Sequence, residues 1–222
     1  GNCLYFFMKT KQIKDDSNLL SPQKSRIIAK LMADGCVFKT RHNYVMKYEV
    51  KDRELLENFE KDIFDVYGLK MTWGSNPSGK TGELIPFVRL LSKNVYDDLS
   101  RYGNYYSYNW NVPKEIINSS KEIKIEFLRA FYDDEGSVIV SKKSKYFEVR
   151  LYSINKNGLL EISNLMKGFG INFKIISGYG LRRNVYAIVI RNINDLNLFA
   201  ALIGFNLKRK QERLLNAINN KL

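Results

Sequence analysis

Cysteine and histidine are nearly absent from this sequence: Cys3, Cys36 and His42 are the whole supply in 222 residues. Two cysteines make no disulfide framework, so a reducing, intracellular setting is the expectation. All three together are too few for a structural zinc site, which draws on four Cys or His ligands. His42, following Arg41 in a loop or strand, reads as a surface polar group rather than a catalytic base. Long apolar runs are missing as well. No stretch approaches the roughly 18 residues of a membrane span, and no secretory signal is visible. Acids are in the minority, 23 Asp+Glu against 36 Lys+Arg, for a formal charge of +13. That balance favours a polyanionic partner, nucleic acid before an anionic membrane surface. The chemistry left open is that of a hard metal ion held on carboxylates.

Two short stretches organise what is present. Ile27–Gly35 (IIAKLMADG) and Leu128–Gly136 (LRAFYDDEG) are apolar, helix-compatible runs that end in an acid followed at once by glycine. The acids are Asp34 and Glu135. Further landmarks recur after each: Gly68 lies 34 residues past Asp34, and Gly170 lies 35 past Glu135. Arg89–Asn94 matches Val189–Asn192 in place, and Gly103 and Gly204 both stand 69 residues past their acid. Agreement at four landmarks marks an internal duplication.

Periodicity fills in one unit. Ser21-Pro22 supplies a cap and a proline at the first helical position. Ala29 and Ala33 then leave a small-residue stripe where a second helix can approach. Met46, Tyr48 and Val50 alternate with Lys47 and Glu49, as in a half-buried strand. Leu55–Tyr67 has helical spacing, Trp73–Gly82 reads as a turn-rich loop, Leu84–Leu91 as a strand and Asn94–Arg101 as a helix. Asn104–Asn118 joins the copies, its aromatic residues expected to pack rather than stack on bases. Ser119 with Glu122 three residues later has the form of a capping box. The second copy repeats the pattern through Glu148–Tyr152, Leu159–Phe169, Tyr186–Arg191 and Asn194–Leu202, and a basic stretch Leu207–Gln211 leads into a last helix. The expectation is an α/β (α+β) chain of two αββαββα units: an extension at 1–20, units at 21–103 and 119–222, and a linker at 104–118.

The paired stretches resemble the motifs of the LAGLIDADG homing endonucleases in their single-chain, double-motif form. Leu31, Ala33, Asp34 and Gly35 carry the match in the first, with Ala29 in place of glycine. Leu128, Asp133 and Gly136 carry it in the second, with Ala130 in the glycine slot and Glu135 as the acid. Asp134 departs from the pattern, filling a slot that usually holds a small residue; it is expected to face a wider part of the helix pair or to add charge to the metal pocket. The resemblance implies paired antiparallel sheets forming a saddle for DNA, and double-strand cleavage at long asymmetric sites by a monomer. It also implies that Asp34 and Glu135 hold the metal. No His-Asn pair of the intein kind ends the sequence, so a free-standing or intron-encoded protein is the expectation. Rival readings on the same scaffold are an RNA-binding splicing cofactor and a non-catalytic DNA-binding regulator.

Mg²⁺ takes one or two carboxylates and completes its shell with water and phosphate oxygens. Asp34 and Glu135, brought together at two helix C-termini, suit it, with Mn²⁺ in its place or Ca²⁺ bound without turnover. Lys210 and Lys51 are the candidate cations beside the phosphate, by resemblance to basic residues of the family. The family's glutamine near the first-half strand end is replaced by Val50. On the polar strand faces a two-stranded ribbon fits the major groove. Lys39, Arg41, Lys47, Arg89, Lys142, Lys143, Lys145, Arg150, Tyr152, Arg182, Arg183 and Arg191 are the candidate DNA contacts there.

Overall fold

The computed structural model describes residues 14–79, 81–141, 146–178 and 184–219. The first unit runs α1 (Pro22–Ala33), β1 (Gly35–Lys39), β2 (Tyr44–Glu49), α2 (Arg53–Tyr67), β3 (Thr72–Pro77), β4 (Leu84–Leu91), α3 (Lys93–Ser100). A short helix α4 (Lys114–Ile117) lies in the connection. The second unit runs α5 (Lys121–Glu135), β5 (Gly136–Ser141), β6 (Tyr146–Ser153), α6 (Lys156–Lys167), β7 (Lys174–Ser177), β8 (Tyr186–Ile190), α7 (Ile193–Leu202), and α8 (Lys208–Asn219) follows. Both sheets are antiparallel with the same order, β1-β2-β4-β3 and β5-β6-β8-β7. Mixed α and β with two four-stranded sheets is the fold class expected from the duplication.

Local chemistry sets the elements. The Ser21 hydroxyl accepts from the Lys24 amide and Pro22 opens α1, so two orphan donors of the first turn cost nothing. Gly68 closes α2 at φ 71°, a left-handed position where a side chain is strained. On β2, Met46 and Tyr48 are buried, while Lys47 stands directly across from Arg89 of β4 on the opposite face. Val149 and Leu151 do the same for β6. Each sheet thus keeps one face for the helices and turns the other outward.

The two units meet along α1 and α5. The Ser25 hydroxyl donates to the Ile123 carbonyl at 2.8 Å, and Arg26 reaches Glu126 at 2.8 Å. Four residues past Arg26, Lys30 reaches Asp134 at 3.4 Å. Partner numbers rise together, so the helices run in the same direction and deliver their C-termini to one end. Ala29 and Ala130, both fully buried, lie between these pairs and permit the approach. One hydrophobic cluster spans both units.

Three expectations change. Trp73–Gly82 is not all loop: Thr72–Pro77 forms β3, paired with β4. Its glycine misled the reading, because Gly74 marks a close approach rather than a turn; a Cβ there would lie 2.5 Å from Cζ of Phe87. The cap of α5 is Ser120, accepting from the Ile123 amide, while Ser119 donates to the Ile116 carbonyl at 2.7 Å and closes α4. The connecting aromatics split into two groups. Tyr105 and Trp110 are buried, Tyr106 and Tyr108 exposed. Trp110 packs on Phe131 at 4.9 Å between centroids and fills the space that Gly158 leaves open.

Residues 14–20 lie on α2, where Lys14 donates to the Asp65 carbonyl at 2.7 Å. The rest of the expected extension lies outside the described residues. Among the described residues no helix is long and apolar enough to cross a membrane.

Candidate active site

Asp34 caps α1, its amide donating to the Lys30 carbonyl at 3.1 Å, and Glu135 is the last residue of α5. The glycine after each acid lets the chain pass straight from helix into strand. A Cβ on Gly35 would lie 2.7 Å from the Leu31 Cα, and one on Gly136 would lie 2.4 Å from the Tyr132 carbonyl oxygen. Close backbone approach, rather than a left-handed φ, is what demands glycine here. Both acids line one cavity of about 290 Å³ together with Ser107, Trp110 and Tyr152.

Every nearby backbone dipole and acid makes this cavity electronegative. Helix C-termini carry partial negative charge, and two of them end here. Surrounding protein strips water from Asp34 although solvent still reaches it, and this, with the charge of Asp134, pushes its carboxyl up to about 6. Burial, then Asp34 and Asp134, push Glu135 up to about 8. Lys210 opposes both shifts. Its ammonium donates to the carbonyls of Asp133 at 2.5 Å and Gly136 at 2.6 Å. It also reaches those of Tyr132 and Asp134, each at 3.4 Å. A cation from α8 therefore caps the last turn of α5 and the first carbonyl of β5. Burial pulls the Lys210 pKa down, against the pull of Asp133 and Asp134.

Asp134 lies between the units and also adds charge to the pocket, since it pushes up both cavity acids. Its side chain is fully buried, accepting from the Tyr48 hydroxyl at 2.6 Å and from Lys30 at 3.4 Å. Burial pushes it up while Lys30 and Tyr48 pull it down. Asp133 accepts from the Leu207 amide at 2.9 Å. Sequence reasoning missed Lys30, Tyr48 and Ser107. The signal for the first was present: a lysine inside one apolar motif and an extra aspartate inside the other.

The remaining candidates are distributed as follows. Lys51 pairs with Glu83 at 2.5 Å and both are exposed; it follows β2 by two residues, three past Tyr48, which pairs with Gly35. Lys39, Arg41 and Arg89 are exposed. Lys47 is half-buried, its ammonium 4.4 Å from the Phe87 ring centroid. Arg150 is only 5% exposed, ion-paired with Glu148, and its Nη1 donates to the Tyr152 hydroxyl at 3.4 Å. Arg191 meets the same glutamate from β8's end, so a buried acid holds two of the expected DNA contacts. Lys142, Lys143, Lys145, Arg182 and Arg183 lie outside the described residues.

Residues 122–204 match the model of the LAGLIDADG-like domain. That match covers α5 to α7, and the first unit repeats the same element order, acid position and sheet topology. The second unit carries a LAGLIDADG-like domain. An uncharacterized protein of Methanocaldococcus jannaschii is 28% identical over 162 residues, 70% of this chain; the chain spans 58% of that relative's length. Homing endonuclease I-ApeI of Aeropyrum pernix is 23% identical over 197 residues, covering 86% of this chain and 85% of that one. The crystal structure of I-DmoI in complex with DNA and Ca superposes with a TM-score of 0.63 at 17% identity, over 89% of this chain and 98% of that one. The likeness establishes the fold.

Proposed function

We propose that this protein is a site-specific DNA endonuclease, an intracellular monomer that cuts both strands of a long asymmetric duplex. Asp34 and Glu135 are its metal ligands. The observation that carries the reading is the meeting of those two acids, one from each unit, in a single cavity. Two carboxylates pushed above their usual range by burial and mutual repulsion gain most from a divalent cation. Oxygen donors with solvent access suit Mg²⁺ or Mn²⁺ rather than a soft metal. Among the described residues no three His, Cys, Asp or Glu gather as a cage, so water and the substrate's phosphate oxygens would complete the shell. I-DmoI itself has been solved with DNA and Mn, and a substituted form of it with its target DNA and Mg.

A bound divalent ion would supply charge neutralisation at the scissile phosphate and a more acidic water. The chain's own part is to hold two acids on rigid helix ends, so that orientation costs little at reaction. Lys210 stabilises the α5 end on which Glu135 stands and adds positive charge near the phosphate. Lys39, Arg41, Lys47 and Arg89, on or beside the outward face of the first sheet, neutralise phosphates or read base edges, and Tyr152 stands where the second sheet reaches the cavity.

Incubating the protein with a randomised duplex library and Mg²⁺, then sequencing the ends produced, tests the reading. Recurrent ends at one sequence, absent with chelator, are expected. Retention of one duplex without any cut would instead select the regulator reading.

A further inference from the structure

The connection between the units carries two large exposed aromatics that neither the fold nor the proposed chemistry uses. Tyr106 is 66% exposed and Tyr108 78%. They flank Ser107, which lines the cavity that holds Asp34 and Glu135. The turn bearing them is fixed from both sides. Tyr105 is buried with its hydroxyl donating to the Leu99 carbonyl at 2.8 Å. Trp110 is buried, and its carbonyl accepts from the Asn155 side chain at 2.6 Å. Between them the Tyr106 carbonyl accepts from the amides of Asn109 and Trp110, and the Asn104 side chain spans the turn to the Asn109 carbonyl at 3.1 Å. A turn this well anchored presents its tyrosines; it does not leave them out by disorder.

The duplication gives the placement its meaning. After α7, the chain of the second unit brings Lys210 to the end of α5. After α3, the chain of the first unit brings Ser107 to the cavity of the two acids. Each unit thus delivers the segment behind its last helix to the same centre, one as a cation and the other as a neutral aromatic turn.

We infer that Tyr106 and Tyr108 are DNA contacts beside the cut, seated on one side of the asymmetric site; this rests on the endonuclease reading. Any phosphate held at Asp34 and Glu135 brings its neighbouring nucleotides onto this turn. A tyrosine ring packs on a sugar or an unstacked base whatever its identity, and its hydroxyl donates to a phosphate oxygen. Because tyrosine is neutral, it adds affinity without competing for the metal and without releasing counterions.

The test uses the whole chain and a duplex selected from a randomised library by the wild-type protein. With p-benzoylphenylalanine in place of Tyr108, photo-crosslinks are expected on one side of the site only. They should fall within about four nucleotides, roughly 14 Å of strand, of a mapped cut. Tyr106→Ala with Tyr108→Ala should weaken binding in Ca²⁺ by about tenfold. Its dependence on salt concentration should match wild type, and its melting temperature should not move because both side chains are exposed. Crosslinks farther from the cut, or full affinity in the double variant, overturn the inference while the endonuclease reading stands. If the wild-type protein neither retains nor cuts any duplex, the endonuclease reading fails first and takes this one with it.

Discussion

Asp134 and Tyr48 are joined across the two units by a 2.6 Å hydrogen bond, and Lys30 approaches the same carboxylate oxygen at 3.4 Å. The acid next to Glu135 therefore joins α5 to β2 and α1, and its charge is also felt by both cavity acids. Breaking a buried pair by removing one partner leaves an uncompensated charge, at a cost of roughly 3–5 kcal/mol. Asp134→Ala is expected to lose about that much stability in urea denaturation. Adding Lys30→Met should recover part of it, since a methionine occupies similar volume without a charge. Asp134→Asn should stay active at temperatures where it is folded. An Asp134→Asn protein of wild-type stability but without cleavage would move the second metal ligand to Asp134.

Ala29 tests the helix crossing. It is fully buried on α1, bracketed by the contacts that Ser25 and Lys30 make to α5. Ala29→Leu adds three carbons to a packed interface and should cost roughly 1–3 kcal/mol by overpacking. Thermal unfolding unchanged from wild type would mean that the helices are not held together at this residue.

The duplication was legible because its landmarks are residues with strict local duties. Gly68 needs a left-handed φ, Gly35 and Gly136 need the absence of a Cβ, and the acids before those two end the helices. The paired acids were legible for the same reason. What escaped depended on partners distant in sequence. Gly74 looked like a turn because nothing nearby announces that Phe87 will sit over it. Ser119 and Ser120 are equal candidates for a cap until α4 claims the first. Lys30 and Asp134 each look misplaced alone and are resolved only by facing one another. Arg150 looked like a surface reader, but Glu148, two residues away on the same strand, is buried and takes it.

The acids should make stability depend on pH in a particular direction. Asp34 and Glu135 are pushed up, to about 6 and about 8, from unfolded values near 4. The folded state then binds more protons than the unfolded state between those limits, so stability falls with rising pH. Their contribution is complete below about pH 4 and is lost as pH rises through about 6 and then about 8. With divalent ions chelated, the melting temperature should drop from pH 5 to pH 8. Glu135→Gln should flatten the upper part of that drop, and Mg²⁺ should raise the wild-type melting temperature more at pH 8 than at pH 5. A melting temperature that rises over this range would contradict the crowding of acids.

Lys210 can be separated from general charge. Its ammonium satisfies carbonyls at the end of α5 and lies close enough to temper both acids. Lys210→Met keeps the stem and removes the cation. Cleavage is expected to fall on the order of 100-fold, the scale of losing one electrostatic donor at a reacting centre. Binding in Ca²⁺ should change far less. Lys210→Arg keeps the charge but offers a planar fork where several carbonyls converge on one point, so it should recover binding better than rate. Equal losses of binding and rate in Lys210→Met would assign the residue to phosphate contact alone.

The last expectation concerns the acids as ligands. Asp34→Asn and Glu135→Gln preserve shape and each remove one negative charge from the cavity. A site with two protein ligands holds Mg²⁺ largely through charge, so either change should abolish cleavage or slow it at least ~100-fold. Duplex binding should survive, because the substrate is a polyanion and a lost carboxylate reduces repulsion; in metal-free buffer, affinity should rise. Ca²⁺ makes the separation measurable, since it occupies oxygen sites with looser geometry. Calcium should strengthen wild-type binding and should strengthen it less in either variant. Neither variant should melt below wild type at pH 8, because each removes a repulsive group rather than a paired one. That distinguishes them from Asp134→Ala, whose loss is structural. If Asp34→Asn and Glu135→Gln both cut at the wild-type rate, the paired-carboxylate mechanism is wrong, whatever the fold.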